Sequence, residues 1–300
     1  MISCLLETLI KAGAFDSLGL NRNSLFEGLP EIVRIANQQH RDEEIGQNDL
    51  FGGSIAVTED KKVTPHLEEW GDKEKLRLEK LAIGLYLTGH PINAYEEEVR
   101  QLRSRTLKAM AEDDGLVKYQ KKPITLVGLV SAVRVQNTDR GKRAFVTLDD
   151  KTAYYELFIF SNVFEQFEHV IQKEEVLVVE GSLNSDYTTG AVRLRVESLH
   201  NMESARNQFL RRLQLSVDKS QTANGLLDKL DELLPTNIQT ADQQNPNQAQ
   251  AGQCPVFIAY ETEDEKVELR LGSDVSAPLG DDDIKLLQKA LGDKNVNLIY

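Results

Sequence analysis

Three hundred residues, 40% hydrophobic and 28% charged, have the balance of a water-soluble chain long enough for two or three cores. The formal net charge of −13 has the wrong sign for a protein that simply coats nucleic acid. The longest apolar runs, such as Ile124–Val130 and Val176–Val179, are strand-length, so no membrane span is expected. Cys4 and Cys254 each stand alone, which supports neither a CxxC metal knuckle nor a disulfide framework, and a cytoplasmic location is expected. The charge is uneven along the chain. Basic and acidic residues nearly cancel across 121–200, whereas both flanks are clearly acidic, so the middle is the part least repulsive to a phosphate backbone.

Residues 3–39 read as helices. Leu5, Leu6, Leu9 and Ile10 recur at helical spacing until Ala12-Gly13-Ala14 interrupts, and Asn21 or Asn23 can cap a second helix carrying Leu25, Leu29, Ile32, Val33 and Ile35. Residues 40–65 lose periodicity and turn polar. Asp72 to Leu87 returns to strong helix, stopped by Thr88-Gly89-His90-Pro91, and another helix runs from about Asn93 to Leu102.

From Pro123 the period changes to two. Ile124–Val135, Ala144–Leu148 and Tyr154–Phe160 read as strands, residues 161–172 as a helix, and Glu175–Leu183 and Val192–Leu199 as two more strands. Three strands, a helix and two strands is the chain order of the five-stranded OB-fold barrel. Beyond it lie a helix at 203–214, a strand-like Leu213–Val217, a helix near Thr222–Leu234, and a Gln/Asn-rich stretch read as a flexible linker. Strands at Val256–Tyr260, Val267–Leu271 and Val296–Tyr300 with a helix at Asp281–Leu291 form a small α+β tail. The expected fold class is therefore multidomain α+β, with a helical N-terminal segment, a central OB-fold and a small α+β C-terminal domain. Its divisions fall at residues 1–40, linker 41–65, helical segment 66–120, barrel 121–200, connector 201–235, linker 236–254 and tail 255–300.

No phosphate-cradling glycine motif occurs, the five histidines show no metal-ligand spacing, and no paired acid and base stands out. No catalytic residue, metal site or cofactor is therefore assigned. The barrel offers binding chemistry instead: OB-folds follow a strand with positive side chains and stack bases on exposed rings. Arg134, Arg140, Lys142 and Arg143 crowd the first turn, and period two puts Arg193 and Arg195 on one outward face. Tyr155, Leu157 and Ile159 make a core face, leaving Tyr154, Phe158 and Phe160 pointing the other way, with Phe145 beside them on the second strand. These rings either meet bases or lie beneath a neighbouring domain. A second constellation, Gln47-Asn48-Asp49-Leu50-Phe51-Gly52, places a Leu-Phe pair in a polar segment, either to enter a partner's groove or to fold back as a local anchor.

Several stretches together resemble the C-terminal part of the alpha subunit of bacterial DNA polymerase III, a replicative polymerase. Leu9 to Asp16 resembles the end of its helix-hairpin-helix region, and Gln47 to Gly52 its sliding-clamp-binding peptide. Leu78 to Pro91 resembles its most recognisable C-terminal signature, and Gly141-Lys142-Arg143 through Asp150 the second strand of its OB domain. The resemblance implies that Gln47, Asp49, Leu50 and Phe51 bind the sliding clamp (beta subunit), that the barrel contacts single-stranded template DNA, and that the tail docks on the clamp-loader tau subunit. It also implies that the palm, with its Mg²⁺-binding aspartates, would precede residue 1, so that this chain alone should not polymerise nucleotides. Two other readings stay open: an OB-fold accessory domain for tRNA or other RNA, and a pure protein-interaction platform.

Overall fold

The computed structural model describes residues 2–44, 65–112, 122–139, 141–185, 192–218, 230, 232–234, 254–261, 266–272 and 275–300. They fall into two compact units, 1–91 and 92–300.

The first unit is helical. Helix α1 (Ile2–Lys11) and helix α2 (Arg22–Glu44) bury Ile10, Leu25 and Leu29 together, with Leu6, Phe15, Phe26, Val33 and Trp70 around them. Asn21 is the residue that caps α2: its Oδ1 accepts the Ser24 amide at 2.7 Å. The Glu69 carboxylate takes two further amides of that first turn, Arg22 at 3.1 Å and Asn23 at 3.2 Å. Helix α3 (Asp72–Ile83) ends earlier than the apolar spacing predicts. Gly84 turns left-handed, with φ +78°, and the Glu79 carboxylate captures the amides of Leu87 and Thr88 at 3.0 and 3.1 Å. Those bonds compete with helical ones, so the chain folds back where Leu85 and Leu87 would have extended the helix.

Glu79 is fully buried and also accepts Arg22 Nη1 at 2.7 Å, while Arg22 Nη2 meets Asp16 Oδ2 at 2.6 Å. The guanidinium passes directly over Gly13, whose φ is +82° and where a Cβ would lie 2.2 Å from Arg22 Nη2. Only glycine fits both the backbone and the space.

A 3₁₀ turn (Pro91–Tyr95) leads along the chain into the second unit, which continues with helix α4 (Glu96–Leu102) and helix α5 (Leu107–Glu112). Then come β1 (Pro123–Thr138), β2 (Gly141–Asp149), β3 (Tyr154–Ile159), α6 (Ser161–Phe167), β4 (Val176–Ser185) and β5 (Val192–Asn201). The sheet order is β3-β2-β1-β4-β5, every pair antiparallel, and β3 packs against β5 to close the barrel. This is the OB-fold that the strand pattern predicts. Strand β1 pairs with β4 through Leu129 and with β2 from Leu129 onward, with a bulge between Val130 and Ala132. Leu126, Val130, Val146, Leu148, Leu157, Ile159, Leu177 and Val179 fill the interior, and Val163 and Phe164 of α6 pack against them.

After helix α7 (Met202–Phe209), β6 (Arg212–Asp218), β7 (Val256–Glu261), β8 (Lys266–Arg270) and β9 (Val296–Ile299) form a second sheet in the order β8-β7-β6-β9. Strand β6 runs parallel to β7 and antiparallel to β9. Helix α8 (Asp281–Leu291) buries Ile284, Leu287 and Leu291. Leu213, Leu215, Val217, Leu230 and Leu234, which the sequence places in a connector, thus share one core with Val256, Leu287, Leu291 and Val296 of the tail. A parallel partner must come from a distant segment, so no local pattern marks the pairing.

Candidate nucleic-acid interface

Period two along β1, β2 and β3 sends every second residue outward, and the register decides which of them meet. Phe145 on β2 lies opposite Arg134 on β1 and Phe158 on β3; one step along, Arg143 lies opposite Gln136. The Arg134 guanidinium sits over the Phe145 ring, 5.2 Å from its centroid, and that of Arg143 over Phe158 at 5.7 Å. Phe145 and Phe158 are 5.2 Å apart, and Phe160 meets Phe158 edge-on at 4.7 Å. Three rings and two arginines therefore form one continuous outer stripe.

Each arginine has a second partner on the stripe. Arg134 Nη2 donates to Glu156 Oε1 at 2.7 Å, reaching across β2, with the two side chains 66% and 49% exposed. Arg143 donates from Nε and Nη2 to Gln136 Oε1 at 3.2 and 3.0 Å. Phe160 itself is 49% exposed. Gln136 and Glu156 were not among the sequence candidates. Both lie on the outward phase of their strands, but only the cross-strand register shows that they reach the arginines.

The other candidates lie elsewhere. Lys142 has the opposite phase to Arg143, and its Nζ is 3.8 Å from Glu168 Oε1 at the end of α6. Tyr154 is exposed at the far end of β3, opposite Asp149, whose charge pushes its hydroxyl pKa up. Arg193 and Arg195 are exposed on β5 opposite Asn184 and Ser182, with Leu194 and Val196 buried between and beyond them. Arg193 stands near the barrel closure: burial raises the Tyr155 hydroxyl pKa on β3, and the Arg193 charge partly opposes that rise. Arg140 and the peptide residues Gln47, Asp49, Leu50 and Phe51 lie outside the described residues.

The stripe can hold planar groups on its rings and anionic groups on its guanidinium tips, which is the chemistry of a single nucleic-acid strand. Among the described residues no three His, Cys, Asp or Glu side chains come together to hold a metal ion. No helix among the described residues is long and apolar enough to cross a membrane.

Residues 124–202 match the family described as OB-fold nucleic acid binding domain. DNA polymerase III subunit alpha from Vibrio cholerae is 31% identical over 298 residues, covering 98% of this chain and 24% of that protein. The Pseudomonas aeruginosa protein of the same name is 32% identical over 313 residues, covering 98% and 25%, and that of Escherichia coli K12 is 30% identical over 300, covering 98% and 24%. The chain thus spans about a quarter of the length of these relatives. Among solved structures, Entamoeba histolytica asparaginyl-tRNA synthetase with asparaginyl-adenylate is 15% identical with a TM-score of 0.24, covering 52% of this chain and 46% of that one. RecG bound to a three-way DNA junction is 15% identical with a TM-score of 0.22, covering 43% and 17%. Both superpositions are loose.

Proposed function

We propose that this chain, a homologue of DNA polymerase III subunit alpha over almost its whole length, serves replication by binding rather than by chemistry. Its barrel holds single-stranded template DNA, its Gln47–Phe51 peptide tethers it to the sliding clamp, and its C-terminal sheet domain docks on the tau subunit. Nucleotidyl transfer is assigned to the parts of the polymerase outside the matched quarter. The observation that carries the DNA reading is the outward stripe of Phe145, Phe158 and Phe160 layered with Arg134 and Arg143. A net charge of −13 argues for weak contact, and tethering makes weak contact sufficient by raising the local concentration of DNA.

Fluorescence anisotropy with labelled oligothymidine tests the DNA reading. Binding at low salt should weaken by about 1–3 kcal/mol for each ring removed in Phe145→Ala and Phe158→Ala. A flat titration, or tighter binding to tRNA than to the oligonucleotide, would overturn it in favour of a protein platform or an RNA module. For the clamp, Leu50→Ala with Phe51→Ala should abolish binding to the purified ring; unchanged affinity would remove that assignment.

A further inference from the structure

We propose that Glu156 is a phosphate-mimicking latch that parks Arg134 on the Phe145 ring until a nucleic-acid strand displaces it; the inference rests on the DNA reading above. A carboxylate offers a guanidinium the same kind of oxygen acceptors as a phosphate. Glu156 supplies one at 2.7 Å from Arg134 Nη2, and in that position the guanidinium covers the Phe145 ring at 5.2 Å from its centroid. A base that stacks there must first evict the arginine. Binding is then an exchange: base replaces guanidinium on the ring, and phosphate replaces Glu156 on the guanidinium.

The two halves of the stripe differ in what holds their arginine. Arg143 is kept over Phe158 by the neutral Gln136 oxygen, at 3.2 and 3.0 Å, whereas Arg134 is kept by a charged carboxylate. A neutral acceptor yields to phosphate more readily than a carboxylate. The end of the stripe bearing Phe158 and Phe160 is therefore the entry point, and the Phe145 position is filled second. An exposed ion pair of this kind holds back affinity by no more than about fivefold.

The test is anisotropy of labelled oligothymidine on the full chain, between about 50 and 200 mM salt. Glu156→Gln should bind up to about fivefold tighter than the unaltered chain. Its plot of log K against log salt should keep the slope of the unaltered chain, because Arg134 reaches the same phosphate in both, whereas Arg134→Ala should flatten it by about 0.7, the loss of one phosphate contact on a single strand. In an Arg134→Ala background the same substitution should bring no gain. If the unaltered chain binds and Glu156→Gln leaves affinity unchanged, the latch is wrong. It is equally wrong if the gain persists without Arg134, because general charge relief then explains it. If neither the unaltered chain nor Glu156→Gln binds, the DNA reading itself fails and takes the latch with it.

Discussion

Arg206 forks onto Glu98: its Nε is 2.8 Å from Glu98 Oε2 and its Nη2 is 2.7 Å from Oε1, both residues being buried. The remaining nitrogen, Nη1, donates at 2.7 Å to Asp281 Oδ1 and at 2.7 Å to the Leu279 carbonyl. Tyr300 donates its hydroxyl to Glu98, and Tyr95 donates its own to Asp281. One arginine thus joins α4, α7, α8 and residue 300.

Breaking that pair from one side strands a buried charge. Arg206→Met should cost about 3–5 kcal/mol, read from urea unfolding, while Arg206→Met with Glu98→Met should recover much of the loss. Equal destabilisation by the single and double variants would show that packing, not charge pairing, dominates.

Acid should unfold the protein through its depressed carboxylates. Burial by itself raises the Asp281 pKa, but bonds from Tyr95 and Arg206 outweigh it and hold the group below its ordinary 3.8. Burial likewise raises Glu79, and Arg22, Leu87 and Thr88 bring it below 4.5. Groups depressed in the folded state give stability that is complete above their unfolded values and is lost as pH falls through their native ones. Melting temperature should hold from pH 7 to about pH 5 and drop below about pH 4, with a shallower drop in Asp281→Asn.

Gly181 lies at the bulge where β4 crosses β5. A Cβ there would sit 2.2 Å from the Arg195 carbonyl oxygen, a backbone atom with no rotamer to yield. Gly181→Ala should cost about 1–3 kcal/mol in denaturant titration. A melting curve unchanged from that of the unaltered chain would mean that the bulge relaxes freely.

The two thiols should separate in a timed reaction with a disulfide reagent. Cys4 is exposed, whereas burial pushes the Cys254 thiol up to about 11 and keeps thiolate scarce. Cys4 should react in the native state and Cys254 only in denaturant. Two equally fast thiols in the native protein would contradict that burial.

Alternation made the barrel legible, because Leu157 and Ile159 inward and Phe158 outward need only period two. It left open which arginine meets which ring, since that depends on register across three strands. Arg22 and Arg206 gave no local sign of burial. An arginine reads as surface until distant carboxylates such as Glu79 and Glu98 are seen to converge on it. The four strands of the second sheet were legible too, but not that β6 belongs with the tail: that strand finds both its neighbours, β7 and β9, far along the chain.

The bulge in β1 divides that strand mechanically. Before it, Leu126, Val127, Leu129 and Val130 are locked in the core; after it, Arg134 to Asn137 are exposed and held chiefly by β2. Amides of the buried half can exchange with solvent only when the barrel as a whole opens, whereas the outer half can unzip locally. Arg134 and Gln136 therefore ride on a pliable arm, while Phe145 and Phe158, each between two buried neighbours, sit on the rigid drum to which that arm is fixed. Such an arm can follow a moving strand through successive positions without the drum losing its shape.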